Sequence, residues 1–410
     1  LSYNAAAVSP TNALHYQPMK LASRMARLGT ETAFEVLAKA KALEAQGRDV
    51  IHFEIGEPDF DTPTHIRDAA KSALDAGFTH YGPSPGLPDV RERIASHQSE
   101  IQGYDIDPSR IVVTPGAKPI MFFSILAMIE KGDEVIYPNP GFPIYESMID
   151  FAGGTAVPLQ LNEDSGFNAE IDDLHRKVTS RTKMIILNSP NNPCGSVIPR
   201  SDLERIASIA SEAGIVVLAD EIYKDFYYEG SHHSVSGFHG MQDNTIILDG
   251  FSKSYAMTGW RLGYGVLPEP LVEPISRLVT NSVSCTSSFS QQAAITALDA
   301  PQDSVTEMVK EFKHRRDVVV DGLNSIDGIV CQVPKGAFYA FPNIHGTGLT
   351  SRELADRLLL MRVRYAASVC QYVRYALVLN ALAVGVQSGN SHAIIDEGEL
   401  EGAVIVFLDV

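Results

Sequence analysis

Apolar residues recur at helical spacing from Phe34 to Gln46, and Gly47 supplies a stop. Two further helices follow the same rule, Thr64 to Ala76 closed by Gly77 and Pro88 to Gln102 closed by Gly103. After Arg110 the texture changes. Short β-branched runs now alternate with helical stretches: IVV (111–113), EVIY (134–137), AVPLQL (156–161), MIIL (184–187), IVVLA (215–219), TIILD (245–249) and LGYGVL (262–267). Amphipathic segments such as Lys118 to Ile129 and Asp202 to Ala213 lie between them. Two long helical patterns come next, Val272 to Leu298 and Val305 to Leu323, and then a strand-like stretch, CQVPKGAFYAFPNI (331–344).

Continuous apolar strands separated by helices indicate an α/β fold, a mostly parallel sheet covered on both faces. The expected division is a sheet domain over 106–300 and a smaller α+β domain from both chain ends, 19–105 and 301–410. Met19-Lys20 reads as a natural start, which makes 1–18 an extension or an added remnant, without the basic start and apolar core of a secretory signal.

Asp plus Glu number 50 against 33 Lys plus Arg, a net charge of −17, so nucleic acid and anionic membrane are not expected partners. No apolar run approaches the roughly 18 residues of a membrane span. Cys194, Cys285, Cys331 and Cys370 are scattered, with neither CxxC spacing nor a histidine at metal-ligand distance. A reducing, cytoplasmic compartment without a metal site is the expectation.

In an open α/β sheet, ligands bind beyond the carboxyl ends of the strands. Five such ends carry polar groups: Thr114-Pro-Gly116-Ala117-Lys118, then Phe142 in PNPGFPIY, Asn192 in NSPNNPCG, Asp220-Glu-Ile-Tyr223, and Ser252-Lys253 leading to Arg261. Each piece alone has a bland reading. Asp220 could be a helix cap, Lys253 a solvated lysine, TPGAK a simple turn and Phe142 a core ring. Cys194 reads as a space-filler, because no histidine is placed to activate it. Together they suit one ligand with a phosphate, a protonated aromatic nitrogen, a ring oxygen and an aldehyde. A helix N-terminus at 116–118 and an arginine fork from Arg261 suit the phosphate, Asp220 the ring nitrogen, Asn192 and Tyr223 the ring oxygen, and Lys253 the aldehyde.

GEPDFDTP (56–63), HYGPSPGLPDVRERIA (80–95), NSPNNPCG (188–195), ADEIYKDFYYEG (219–230) and SKSYAMTGWRLGY (252–264) resemble, in order and spacing, the class I aminotransferases of pyridoxal 5′-phosphate (PLP) fold type I, the aspartate aminotransferase-like fold. The resemblance covers about Met19 to Ile344. It implies that Lys253 carries PLP as a Schiff base and later moves the substrate α-proton, that Asp220 pairs with the pyridinium, and that Tyr223 and Asn192 contact the ring oxygen. Phe142 would stack on the ring, while Gly116, Ala117, Ser252 and Arg261 would hold the phosphate. Tyr81 would reach the phosphate of a neighbouring subunit, making the protein a homodimer with shared sites, and the Gly56 backbone would face the substrate.

The implied reaction moves an α-amino group from an L-amino acid to a 2-oxo acid, most often 2-oxoglutarate, in two stages. Lys118 stands where the aspartate/prephenate branch places a lysine that reads a second carboxylate, which favours an acidic substrate; capping of the phosphate helix or exposure to solvent is the alternative. A carbon–sulfur β-lyase on the same fold shares every cofactor residue. A PLP-binding regulator would need a DNA-binding module that the residues before Met19 are too few to form. After residue 344 the chain departs from the family pattern, without the usual Val-Pro-Gly-type loop. In QYVR, Arg374 resembles the arginine that clamps the substrate α-carboxylate, with Arg362 and Arg364 as competitors.

Overall fold

The computed structural model describes residues 19–29, 32–48, 50 and 52–360. Helices α1 (Thr32–Glu44), α2 (Thr64–Asp75) and α3 (Pro88–Gln102) precede the sheet. Pro88 suits the first turn of α3, where its missing N–H has no intrahelical partner to lose, and Gly103 closes the helix in the left-handed conformation.

The sheet then alternates with helices: β1 (Ile111–Thr114), α4 (Lys118–Met128), β2 (Glu134–Asn139), α5 (Ile144–Ala152), β3 (Thr155–Asn162), β4 (Asn168–Ala169) and α6 (Ile171–Lys177). It continues with β5 (Thr182–Asn188), α7 (Arg200–Ala213), β6 (Val216–Asp220), β7 (Thr245–Gly250) and β8 (Gly263–Val266). The eight strands lie in the order β1-β8-β7-β6-β5-β2-β3-β4. Strand β2 runs parallel to β3 and β5, and β5, β6 and β7 run parallel in turn. Strand β8 runs antiparallel to both β1 and β7. Reversal matters to the site, because the amino end of β8 lies with the carboxyl ends of β1 and β7, and Arg261 stands two residues before it.

Both faces are buried, which explains the continuous apolar runs. Val112, Met184, Ile186 and Leu218 join the core under α4 and α8 (Glu269–Val283). The alternate residues Ile111, Val113 and Ile247 face α2, α3 and α9 (Ser288–Asp299). Ile185, Leu187 and Val217 pack on α6 and α7. Each such aliphatic side chain contributes roughly 1.5–3 kcal/mol by leaving water. Ile66, Ala70, Val90 and Ile94 share the cluster of Ile111 and Val113, so α2 and α3 pack on the sheet itself.

Two expectations are corrected. The helical pattern from Val272 to Leu298 is two helices, because Ser284 takes φ 63° and the chain turns at 284–287, where Thr286 Oγ1 donates to Val113 O at 3.2 Å. The stretch 331–344 forms no extended strand; it meets the rest through single bridges, Tyr227 to Gly336 and Val330 to Asn343. Pro334 and Pro342 have no N–H for a ladder, and Ala337 bends to φ 54°. Helix α10 (Asp303–Asn324) follows the expected pattern, and α11 (Ser351–Leu360) ends the described chain.

Candidate active site

A cavity of about 460 Å³ opens at the carboxyl ends of β1, β2, β5, β6 and β7. Its wall includes ten of the residues singled out above: Gly56, Ala117, Lys118, Phe142, Asn192, Asp220, Tyr223, Ser252, Lys253 and Arg261.

Arg261 and the amino end of α4 meet in the cavity wall, groups that suit an anion. Gly116 takes φ +84° between β1 and α4, and Thr114 Oγ1 closes the turn on Gly116 O at 2.7 Å. A Cβ at Gly116 would overlap the Arg261 guanidinium, so glycine both allows the turn and lets the arginine lie against it. No side chain caps the amino end of α4, whose flanking residues Ala117 and Lys118 line the cavity. Arg261 is steadied by donating from Nη1 to Thr258 O at 2.8 Å.

The cavity wall also holds a buried carboxylate, Asp220. Asp220 ends β6, paired in register with Asn188 and Leu248. Tyr145 OH donates to its Oδ2 at 2.6 Å, and the Ile222 N–H donates to Oδ1 at 3.3 Å. Burial pushes the Asp220 carboxyl up to about 6, with the Tyr145 and Ile222 bonds pulling the other way and the Asp249 charge adding to the rise. Asn188 braces the neighbouring loop: its Nδ2 donates to Asp220 O at 3.2 Å and its Oδ1 accepts from the Asn192 N–H at 2.7 Å. Phe142 packs edge-on against Tyr145, with centroids 5.6 Å apart.

Lys253 lines the same cavity. Its Nζ donates to Gly56 O at 2.5 Å and lies 5.8 Å from the Tyr223 ring centroid. The Tyr223 hydroxyl is hydrogen-bonded to that of Tyr339, and burial raises the Tyr223 phenol well above its ordinary range. Immediately after Tyr223, Lys224 points into the core, 3.0 Å from Asp225 and 3.1 Å from Asp249. Burial alone would lower its ammonium, and the two carboxylates more than offset that, so the turn carrying Tyr223 is pinned by an ionised cluster. Tyr264 and Gln98 complete the hydrogen bonds of Asp249 Oδ2, at 2.7 and 2.9 Å.

Gly116 lies directly beneath Arg261. Tyr81 is outside the cavity wall and 88% exposed in this single chain. Arg374, with Arg362 and Arg364, lies outside the described residues. Cys194 is buried beside Phe167 and Leu161, and burial drives its thiol far up, leaving no thiolate for chemistry. Tyr145, Asn188 and Tyr339 line the cavity without having been singled out, although each stood inside a quoted segment: Tyr145 closes PNPGFPIY, Asn188 opens NSPNNPCG and Tyr339 lies in 331–344.

A lysine, a buried carboxylate and an anion cradle joined in one cavity define a site for a phosphorylated carbonyl cofactor. The family described as aminotransferase class I and II matches residues 48–381. The chain is 42% identical over 323 residues to the aspartate aminotransferase of Pyrococcus abyssi, covering 78% of this chain and 82% of that one. It is equally identical, at 42%, to the probable aspartate/prephenate aminotransferase of Aquifex aeolicus, covering 79% and 83%. The structure of Thermus thermophilus aspartate aminotransferase with maleate superposes with a TM-score of 0.81 at 34% identity, covering 83% of this chain and 90% of that one. The chain belongs to the class I and II aminotransferases. It is a PLP-dependent transaminase with the aspartate aminotransferase-like fold, and these relatives support amino transfer rather than the β-lyase chemistry.

Proposed function

We propose that the protein transfers the amino group of an acidic amino acid such as aspartate to 2-oxoglutarate, using Lys253 as the cofactor-bearing lysine and proton carrier. The observation that carries the acidic preference is Lys118, whose Nζ lies 5.0 Å from the Phe142 ring centroid in the cavity wall. That puts a cation next to the ring proposed to stack on the cofactor, within the space that a substrate side chain would enter. The names of the Pyrococcus and Aquifex relatives support the same substrate class.

The donor set fits PLP. Asp220 is buried, Lys253 and Arg261 line the same cavity as Asp220, and Gly116 lies against the Arg261 guanidinium. When bound, PLP supplies an electron sink that acidifies the substrate α-carbon. Asp220 holds the proton on the ring nitrogen, Asn192 and Tyr223 donate to the ring oxygen, and Phe142 covers the ring face. Arg261, Ser252 and the N–H groups at Gly116 to Lys118 hold the phosphate. Lys253 would hold the cofactor's aldehyde carbon and, once its amine is free, would serve as the base for the substrate α-proton and the acid toward that cofactor carbon. Lys118 pairs with the second carboxylate of the substrate. Arg374 is proposed for the α-carboxylate.

We further propose a homodimer with shared sites. Tyr81 stands on a loop that Thr280 ties to α8 through Ser84 Oγ at 2.8 Å, and Phe78 and Val283 add exposed apolar surface to the same region. No helix among the described residues is long and apolar enough to cross a membrane. A cytoplasmic setting suits Cys194, Cys285 and Cys331, which are free thiols.

The test is substrate discrimination. Replacing Lys118 with alanine should lower kcat/KM for aspartate by about 10- to 100-fold, the loss of one charge-assisted contact, and leave alanine or phenylalanine turnover nearly unchanged. Equal losses for all donors would assign Lys118 to the phosphate helix instead.

A further inference from the structure

We propose that Tyr339 is a positioning residue for the cofactor: by donating its hydroxyl proton to Tyr223, it commits the Tyr223 proton to the cofactor's ring oxygen. The inference rests on the proposed contact of Tyr223 with that oxygen. The two tyrosine hydroxyls lie within hydrogen-bond reach of each other, both side chains are buried, and their rings meet edge to face at 5.5 Å. Geometry between two phenols does not by itself choose the donor, since each has one proton and can also accept. The ring oxygen chooses. A negatively charged oxygen can only accept, so Tyr223 must donate to it, and Tyr223 then accepts from Tyr339. A hydroxyl that accepts one bond donates more strongly in the next.

Tyr339 is held for this task from three sides. Its ring occupies the space beside Gly56 that a Cβ would fill: such a carbon would lie 2.8 Å from Cε1 and 3.0 Å from Cζ, and would overlap the hydroxyl. The absence of a side chain at residue 56 therefore makes room for Tyr339, while the Gly56 carbonyl accepts from Lys253. The segment bearing Tyr339 is fastened to the segment bearing Tyr223: the Ala337 N–H donates to Phe226 O at 2.9 Å, and the Tyr228 N–H to Lys335 O at 3.0 Å. Phe338 stacks on Phe312 of α10 with centroids 4.9 Å apart. Tyr339 is thus a fixed link between the loop that holds Lys253 Nζ and the phenol assigned to the ring oxygen.

The test uses the PLP-loaded enzyme and reads the bound chromophore's absorbance against pH. Tyr339→Phe keeps the ring and removes only the donor. The anionic form of the chromophore should be less stabilised, and its midpoint should rise by about 0.3–1 pH unit, the worth of one hydrogen bond. Tyr223→Phe should shift the midpoint further in the same direction, and adding Tyr339→Phe to it should change nothing more. A ring-fluorinated tyrosine at 339, a stronger donor, should move the midpoint down. An unchanged midpoint in folded, loaded Tyr339→Phe, or the same shift with Tyr223 already removed, overturns the proposal while leaving the cofactor assignment intact. A wild-type protein with no PLP chromophore overturns both.

Discussion

Tyr145 OH donates to Asp220 Oδ2 at 2.6 Å across a separation of 75 residues, joining the helix after β2 to the end of β6. The bond favours the ionised carboxylate, yet burial outweighs it and holds the Asp220 carboxyl up at about 6. A protonated ring nitrogen placed against Asp220 would supply the missing counter-charge. A bound cofactor would therefore relieve the electrostatic cost of ionising Asp220 in this buried position.

That cost has a pH signature. The folded value is raised above the 3.8 of an ordinary aspartate, so the folded polypeptide binds this proton more tightly than the unfolded chain. The resulting stability is fully present below 3.8 and is lost as pH rises through about 6. Without cofactor, Asp220→Asn should gain stability relative to wild type over that window, by on the order of 2–3 kcal/mol above it. Urea midpoints measured against pH check this, and parallel curves for the two proteins would contradict it. Loaded with PLP, the same variant should lose turnover by roughly two orders of magnitude or more.

Assembly is tested by complementation. If Tyr81 serves the partner's phosphate, Tyr81→Phe and Lys253→Ala lesions belong to different sites in a mixed dimer. Mixing the two variants should then recover activity through hybrids in which one site carries neither change. An active monomer by light scattering would remove the basis for sharing.

Much of this site was legible because the strands are buried on both faces. Continuous apolar runs such as MIIL and TIILD mark where strands stop, and the polar residues after them mark where a ligand binds. Asp220, Tyr223, Lys253 and Arg261 all stand in such positions. Tyr145 and Tyr339 were not legible as site residues, because their roles come from partners 75 and 116 residues away. The break at Ser284 was hidden for a similar reason: helical spacing continues through it, while the turn is held by Thr286 on the distant Val113 carbonyl. The stretch 331–344 read as strand-like, but its prolines and the bend at Ala337 leave only isolated bridges.

The central claim is that Lys253 carries the cofactor, and borohydride trapping measures it most directly. Reduction of the PLP-loaded protein, followed by digestion and mass spectrometry, should place the phosphopyridoxyl group on the peptide containing SKSYAMTGWR at Lys253. Lys253→Ala should still bind PLP through the Arg261 cradle yet retain none after reduction and denaturation. Label fixed on another lysine in the wild-type protein, or label retained by Lys253→Ala, would contradict the account.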